Sequence, residues 1–402
     1  MLATTSEVCK LLNERNVSDP TANDVQHRAN VLGADLGIPV EAGGRLYLMF
    51  GDTIGYAGIW GGGESHPDAV GFAIDPAANL GAHPELLCGG LGILTLPPGS
   101  SIGPTVDPSV VADFAAGAMT APAGHALAEY IHNPAGSGTS HFANLPGDFE
   151  VPSGAFAAGG AIYVLYTTVV SASDVRMAGS YLARWGVPAT SGVPSYEIQY
   201  AIDERFDSRG PLLGDFINVA AEPAGEYVYL FGTGEYRASA VHLARKRLDA
   251  LEAPGGFERF DAASGAWITA GAAAPIVDAA GYGETSVRYF AAIDRWVFLA
   301  EEQVAGANHI VARFADRPEG PWSEAIVVHD MADADFRSHY CCAPDDACAG
   351  AEFMNCDRTG FYGSYLLPEL EVDADGFTLT YTLSSFDPYD VALFRAHFTQ
   401  GT

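Results

Sequence analysis

The sequence has 402 residues, of which 50 are acidic and 20 are basic, so its formal net charge at pH 7 is -30. This charge repels phosphate backbones and anionic lipid surfaces, so nucleic acid is not an expected partner. With 48% hydrophobic residues, the chain can bury a substantial core without help from a metal or a partner. No stretch approaches 18 uninterrupted apolar residues, so we expect no membrane insertion. We also expect the protein to be a monomer.

Five similar two-strand units follow an N-terminal extension, residues 1–26. In each unit a glycine-containing or turn-rich loop leads into an apolar strand that ends in an aromatic or small residue. The units are Ala34–Thr53, Val151–Thr168, Gly214–Thr233, Gly283–Glu302 and Gly363–Ser384. Their spacing leaves room for four-stranded blades, so the pattern predicts an all-β protein, a five-bladed β-propeller built as a single domain over residues 27–402. A β-sandwich with long loops would share the hairpins but not five similar units.

The interval between the first and second units is the longest. It accommodates an insertion at about residues 102–136, where alanine-rich runs predict short helices between the first and second blades. Sialidase-type propellers carry repeated Ser-x-Asp-x-Gly-x-x-Trp turns, and none is present in this sequence. A sialidase is therefore not the favoured interpretation.

Carboxylates occupy the strand ends that should converge at one rim of a propeller. Asp35 opens the first strand of the first unit and Asp52 closes its second strand, so a hairpin places them side by side. Asp215 and Glu284 stand at nearly equivalent openings of later units. Glycoside hydrolysis needs such a group, because one acid protonates the leaving oxygen while a second carboxylate attacks or activates water. The alternative is that an aspartate in Gly-Asp-Thr only binds local backbone amides.

Several stretches resemble glycoside hydrolase family 183, formerly domain of unknown function 4185. They are ADLGIPVEAGGRLYLMFGDT, VPSGAF, YRASAVHLAR and TGFYGSYLLPE, spread over most of residues 27–397. The resemblance implies a fold like that of five-bladed furanosidases and an endo-acting D-arabinanase that cuts mycobacterial arabinogalactan and lipoarabinomannan. It also implies that Asp35 and Asp52 are the catalytic pair. Asp215 and Glu284 are further candidates for a general acid or a modulator of the pKa of the pair.

Aromatic residues near these carboxylates are candidates for substrate binding. Tyr56 and Trp60 lie in the glycine-rich loop after Asp52, and Tyr362 precedes the fifth inner strand. Tyrosine and tryptophan rings stack on sugars, and glycines allow a substrate to approach the backbone closely. The alternative interpretation of the loop is an exposed flexible turn.

Six cysteines indicate disulfide bonds and therefore export to an oxidising compartment, as a secreted, periplasmic or cell-surface protein. Four of them fall in the loop at residues 339–357, without the paired C-x-x-C spacing of zinc ribbons. Cys9 and Cys88 are candidates for a disulfide that ties down the N-terminal segment. We predict no metal and no cofactor, because nucleotide-binding, serine-hydrolase and zincin motifs do not occur.

Two rival interpretations stay open. A non-catalytic propeller that binds a glycan or a surface protein would use the same aspartates only to form turns. Another glycosidase or a glycan lyase on the same scaffold would act on a different polysaccharide.

Overall fold

The computed structural model describes residues 2–12, 31–55, 68–75, 83–96, 127–128, 149–171, 176–186, 196–204, 212–304, 307–342, 353–386 and 388–399. The protein is an all-β structure in these ranges, and every pairing between its named strands is antiparallel. Two short helices, α1 (Leu86–Gly90) and α2 (Ala334–Tyr340), and one 3-10 turn (Leu248–Ala250) interrupt the strands. No helix in the described part of the chain is long and apolar enough to cross a membrane.

The N-terminal half of the chain contains one strand of the last sheet, two complete four-stranded sheets and one short pair of strands. The first strand is β1 (Leu2–Leu12). The first sheet contains β2 (Val31–Ala42), β3 (Arg45–Gly55), β4 (Asp68–Ala73) and β5 (Leu91–Ile93). A short pair follows, β6 (Thr95–Leu96) and β7 (Leu127–Ala128). The second sheet contains β8 (Phe149–Ala158), β9 (Ala161–Ser171), β10 (Arg176–Trp185) and β11 (Tyr196–Glu204).

The C-terminal half contributes a nine-stranded sheet and a last four-stranded sheet. The nine-stranded sheet begins with β12 (Asn218–Ala224), β13 (Tyr227–Thr233), β14 (Ser239–Arg247), β15 (Glu258–Asp261) and β16 (Ala266–Ile268). It continues through a β14–β17 pairing into β17 (Val277–Phe290), β18 (Arg295–Val304), β19 (Ala307–Ala315) and β20 (Ile326–Asp330). The last sheet contains β21 (Tyr362–Val372), β22 (Gly376–Phe386), β23 (Tyr389–Thr399) and, beside β23, β1.

Each of the five predicted two-strand units is a β-hairpin, and their first strands contact one another in a cycle. The hairpins are β2–β3, β8–β9, β12–β13, β17–β18 and β21–β22. Consecutive glycines with positive φ, Gly43 and Gly44, turn the first hairpin, as type I′ turns require. β2 contacts β8, β8 contacts β12, β12 contacts β17, β17 contacts β21, and β21 contacts β2 again. The first strands therefore surround a common centre.

Among the described residues, five large apolar clusters fill the spaces between neighbouring groups of strands, and a sixth, small cluster is formed by Val169, Met177 and Ile217. These five clusters combine buried residues from neighbouring groups of strands, so that side chains of each sheet are removed from water. Representative pairs from the clusters are Phe50 with Leu393, Tyr47 with Trp185, Leu165 with Val219, Phe231 with Trp296, and Phe314 with Phe398. The hydrophobic core is thus distributed around the cycle rather than concentrated at its centre.

The N-terminal strand joins the two ends of the chain. Within the predicted extension, β1 pairs with β23 of the last sheet. Cys9 of this strand forms a disulfide with Cys88 of α1, which follows the first sheet's β4, so the expected pairing is present. Lys10 is buried beside Asp390 of β23, with 3.8 Å between Nζ and Oδ2. These links fasten the last sheet to the first.

Two predicted segments fall largely outside the described residues. Of the predicted insertion at residues 102–136, the structure describes only residues 127–128, which form a strand. Of the cysteine-rich loop, the ends are described, and Cys341 and Cys356 form a second disulfide. Cys348 lies outside the described residues.

Arg288 connects four of the five first strands on the side of the centre where the hairpins turn. Its guanidinium on β17 donates to the carbonyl oxygens of Leu366 on β21 (2.7 Å) and Pro39 on β2 (2.6 Å). It also lies 3.9 Å from the carboxylate of Glu222 on β12. Burial raises the pKa of Glu222 to about 7, and the Arg288 charge opposes that rise.

We expect Arg288→Met to lower the free energy of unfolding by about 3 kcal/mol, because it leaves Glu222 without its neighbouring cation and two carbonyl groups without their donor. Urea denaturation measures this change. Arg295→Met is the matched control, since Arg295 is exposed and its ion pair with Asp316 should contribute less than about 0.5 kcal/mol. Equal effects of the two substitutions would show that Arg288 does not hold the first strands together.

Candidate active site

A cavity of about 870 Å³ lies where the first strands begin. Its size is that of a typical ligand-binding pocket. All five two-strand units, or the loops beside them, contribute to its lining. Polar and charged lining residues include Asp35, Asp52, Asn218, Tyr236, Arg237, Glu284, Arg337, Arg358, Tyr362 and Tyr389.

Asp35 and Asp52 face each other across a β-bulge. On either side of the bulge, Ala34 pairs with Thr53 and Leu36 pairs with Phe50. Asp35 on β2 therefore stands opposite two residues of β3, Gly51 and Asp52. Bulges of this kind redirect a side chain and are frequent beside active sites. The hairpin places the two carboxyl groups side by side, where the sequence predicted them.

The backbone after Asp35 is held in an unusual conformation by the last sheet. Leu36 has a φ of +65°, a value that costs a residue with a side chain on the order of 1 kcal/mol, and Gly37 follows with +75°. The Leu36 amide donates to Ser384 Oγ (2.8 Å), and Thr382 Oγ1 donates to the carbonyl oxygen of Gly37 (3.1 Å). Strand β22 thus compensates for the strain and fixes the direction of Asp35.

Gly51 allows the Asp35 carboxyl group to lie directly on the backbone of β3. A Cβ atom at position 51 would overlap Asp35 Oδ1 and would lie 2.8 Å from Leu36 Cδ1. Glycine is therefore required here by close approach.

Asp35 is an unusually weak acid. Its side chain is 9% exposed, and burial together with the neighbouring Asp52 charge raises its pKa well above the ordinary value. Hydrogen bonds from Tyr389 and from the Tyr362 hydroxyl (3.0 Å to Oδ2) partly oppose that rise in pKa. A carboxyl group in this environment retains its proton at pH values where exposed aspartates are charged, so it can serve as a proton donor.

Glu284 belongs to a second charged group on the cavity wall. The Tyr236 hydroxyl donates to Glu284 Oε1 (3.2 Å), and an Arg237 nitrogen lies 3.6 Å from the same oxygen. Arg237 also bonds to buried Glu301 (3.0 Å), whose pKa burial raises to about 7. The Arg237 guanidinium lies over the rings of Tyr236 and Tyr362, at 4.6 and 5.5 Å. Tyr362 thus links this group to Asp35.

The other predicted site residues have different environments. The Asp215 carboxylate lies 3.8 Å from His242 Nδ1 and is not part of the cavity lining, so the structure does not bring it to the other carboxylates. Tyr362 lines the cavity, but it is buried and its hydroxyl is bonded to Asp35. Tyr56 and Trp60 lie outside the described residues.

The sequence did not predict four side chains at or beside the cavity wall: Asp68, Tyr236, Arg237 and Tyr389. The prediction considered only the first two strands of each unit, whereas Asp68 opens the third strand, β4. Tyr236 and Arg237 follow a second strand, inside a stretch noted only for its family resemblance. Tyr389 opens the final strand, more than 300 residues from Asp35. A search of every strand opening for polar residues would have found Asp68 and Tyr389.

Comparisons with known proteins identify a family and a shared fold. Residues 105–395 match the family model described as "Domain of unknown function (DUF4185)". A search of curated proteins gives no match. A crystal structure from Bacteroides ovatus ATCC 8483 is similar with a TM-score of 0.53 and 12% identity, over 92% of this chain and 87% of that one.

Two further solved structures are similar at lower TM-scores. The catalytic domain of Coprinopsis cinerea GH62 alpha-L-arabinofuranosidase has a TM-score of 0.48 and 11% identity, over 98% of this chain and 96% of that one. The Cellvibrio cellulosa alpha-L-arabinanase complexed with arabinohexaose has a TM-score of 0.42 and 10% identity, over 90% and 91%. Of these three TM-scores only the first exceeds 0.5, and at 12% identity it shows a shared fold alone.

We expect Gly51→Ala to displace the Asp35 carboxyl group and to lower the free energy of unfolding by about 1–3 kcal/mol, because the added methyl group overpacks the bulge. A crystal structure and urea denaturation of the variant measure the two effects. Gly89→Ala is the control, since a Cβ there has nothing within 4 Å. An undisturbed Asp35 in the variant would contradict the close approach described here.

Proposed function

The chain belongs to the DUF4185 family, and from this premise we propose that it is a glycoside hydrolase that cuts arabinofuranosyl linkages within D-arabinan. The substrate we propose is the arabinan of mycobacterial arabinogalactan and lipoarabinomannan. The resemblance of its motifs to glycoside hydrolase family 183 supports this substrate class. The observation that carries the proposal is that buried Asp35 lies beside Asp52 on neighbouring strands, at the wall of a large cavity.

We further propose that the fold is a five-bladed β-propeller. Three observations support it: five hairpins, a cycle of contacts among their first strands, and five large apolar clusters between neighbouring groups of strands. The nine-stranded sheet then consists of two blades joined by the β14–β17 pairing, which involves few residues. The β1 strand completes the last blade and closes the ring.

In the proposed reaction, Asp35 is the general acid. Its raised pKa, caused first by burial and then by the Asp52 charge, keeps the proton that the leaving sugar oxygen must receive. Asp52, which is less buried, is the carboxylate partner that attacks the anomeric carbon or activates water. Glu284 is a further carboxylate of the cavity wall, held by Tyr236 and Arg237. No metal or cofactor takes part in this proposal.

Two disulfides support export to an oxidising compartment. A monomer that binds a polysaccharide chain in the cavity stays our expectation. A non-catalytic binding protein is the alternative, but binding alone does not need a buried carboxyl group whose pKa is raised beside a second carboxylate.

The test is release of oligosaccharides from mycobacterial arabinogalactan by the wild type, Asp35→Asn and Asp52→Asn. We expect each substitution to lower the rate by at least about 100-fold, because each removes one partner of the acid and base chemistry. Asp316→Asn, which changes an exposed carboxylate, should retain the wild-type rate. Circular dichroism and thermal unfolding confirm that each variant is folded.

Full activity of both aspartate variants would contradict the assignment of the catalytic pair. No release by the wild type would contradict the proposed substrate and would favour another glycan or the binding protein.

A further inference from the structure

Asp68 is a buried carboxyl group that the proposed reaction does not yet use. It opens strand β4, and its Cα is paired directly with that of Asp52 in the β3–β4 ladder. Its side chain is 1% exposed, and neither of its oxygens accepts a hydrogen bond from the residues that the structure describes. Side chains directly opposite in an antiparallel pair have Cβ atoms about 5 Å apart, so the two carboxyl groups are within reach of each other.

The region around Asp68 contains acids and phenols. The titratable groups that act on it electrostatically, or on which it acts, are Asp35 on β2, Asp52 on β3, Glu150 on β8, Tyr166 on β9 and Tyr196 on β11. Burial, followed by the charges of Asp52, Glu150 and Asp35, raises the pKa of Asp68 well above its ordinary value. A buried carboxyl group without a cation or a donor is far more stable in its neutral form.

A neutral carboxyl group differs from a carboxylate in one essential respect, because it carries a hydrogen-bond donor. The acceptor directly opposite this donor is the carboxylate of Asp52. Thr53 supports the same arrangement, since its hydroxyl donates to the carbonyl oxygen of Gly51 (2.9 Å) and accepts from the amide of Ala69 (3.1 Å). The start of β4 is thereby held against the bulge that carries Asp52.

We propose that Asp68 is a positioning residue for Asp52, whose carboxylate it holds in one orientation by donating a hydrogen bond across the β3–β4 pair. This inference rests on the proposed glycosidase function only for its effect on the reaction. The contact between positions 52 and 68 can be tested whether or not the protein cleaves arabinan.

The first experiment compares thermal unfolding of the wild type, Asp68→Asn, Asp52→Asn and the double variant between pH 4.5 and pH 8. In the wild type, the folded state retains the Asp68 proton above pH 4, whereas the unfolded state releases it, so stability falls as pH rises. Asparagine keeps the shape and a donor but does not titrate. We therefore expect the difference between the Tm of Asp68→Asn and the Tm of the wild type to rise by about 2 °C or more from pH 4.5 to pH 8.

The comparison in the Asp52→Asn background isolates the contact. Between the double variant and Asp52→Asn, the rise of the Tm difference with pH should be clearly smaller, because the acceptor charge that holds the Asp68 proton has been removed. The same rise in both backgrounds, or a difference that does not change with pH, would overturn the proposal. Asp316→Asn controls for the loss of one surface charge.

The second experiment measures kcat and KM on arabinan for Asp68→Asn and Asp68→Leu. Leucine removes the donor, and we expect kcat to fall about 10- to 100-fold with KM within about threefold, since misplacing a reacting group affects the chemical step. Asparagine keeps a donor at this position and should retain most of the wild-type kcat. A Leu variant with wild-type kcat would overturn the positioning role. If the wild type itself is inactive, the proposed substrate fails, and the unfolding experiment still decides the contact.

Discussion

The Asp35 carboxyl group lies directly on the backbone of Gly51, and the arrangement of the cavity wall depends on this contact. It is possible because β3 bulges opposite Asp35, so that Asp52 faces the same carboxyl group. The bulge is held from two sides, by Thr382 and Ser384 of the last sheet and by Thr53 within the first sheet. Two carboxyl groups that would repel each other as anions are therefore kept together, and burial first and the Asp52 charge second raise the pKa of Asp35.

The closure of the chain supports the same site. β1 lies beside β23, and the buried Lys10–Asp390 pair joins these strands. The residue before Asp390 is Tyr389, which lines the cavity and bonds to Asp35. The Cys9–Cys88 disulfide fastens β1 to the helix that precedes β5. The N-terminal strand thus holds the last sheet against the first, where Asp35 lies between them.

Local patterns in the sequence were sufficient for part of this account. Hairpin turns and apolar alternation are local, so the five hairpins and the adjacency of Asp35 and Asp52 could be predicted from them. The partners of Asp35 could not, because Tyr362 and Tyr389 reach it from the other end of the chain. Asp215 and Glu284 hold nearly equivalent places in the sequence of two units, but Asp215 precedes β12 and Glu284 lies within β17. The Asp215 carboxylate turns to His242, while Glu284 turns into the cavity. Side-chain direction at a strand end depends on neighbours that no periodicity encodes.

The central claim is that the Asp35–Asp52 pair receives a glycosidic bond. The most direct measurement is a crystal structure of Asp35→Asn with an oligosaccharide cut from mycobacterial arabinan. The account predicts a glycosidic oxygen within about 3 Å of the residue 35 side chain, with the Asp52 carboxylate facing the adjacent anomeric carbon. An oligosaccharide bound in the cavity with no glycosidic bond near either residue, or bound only elsewhere on the protein, would contradict it.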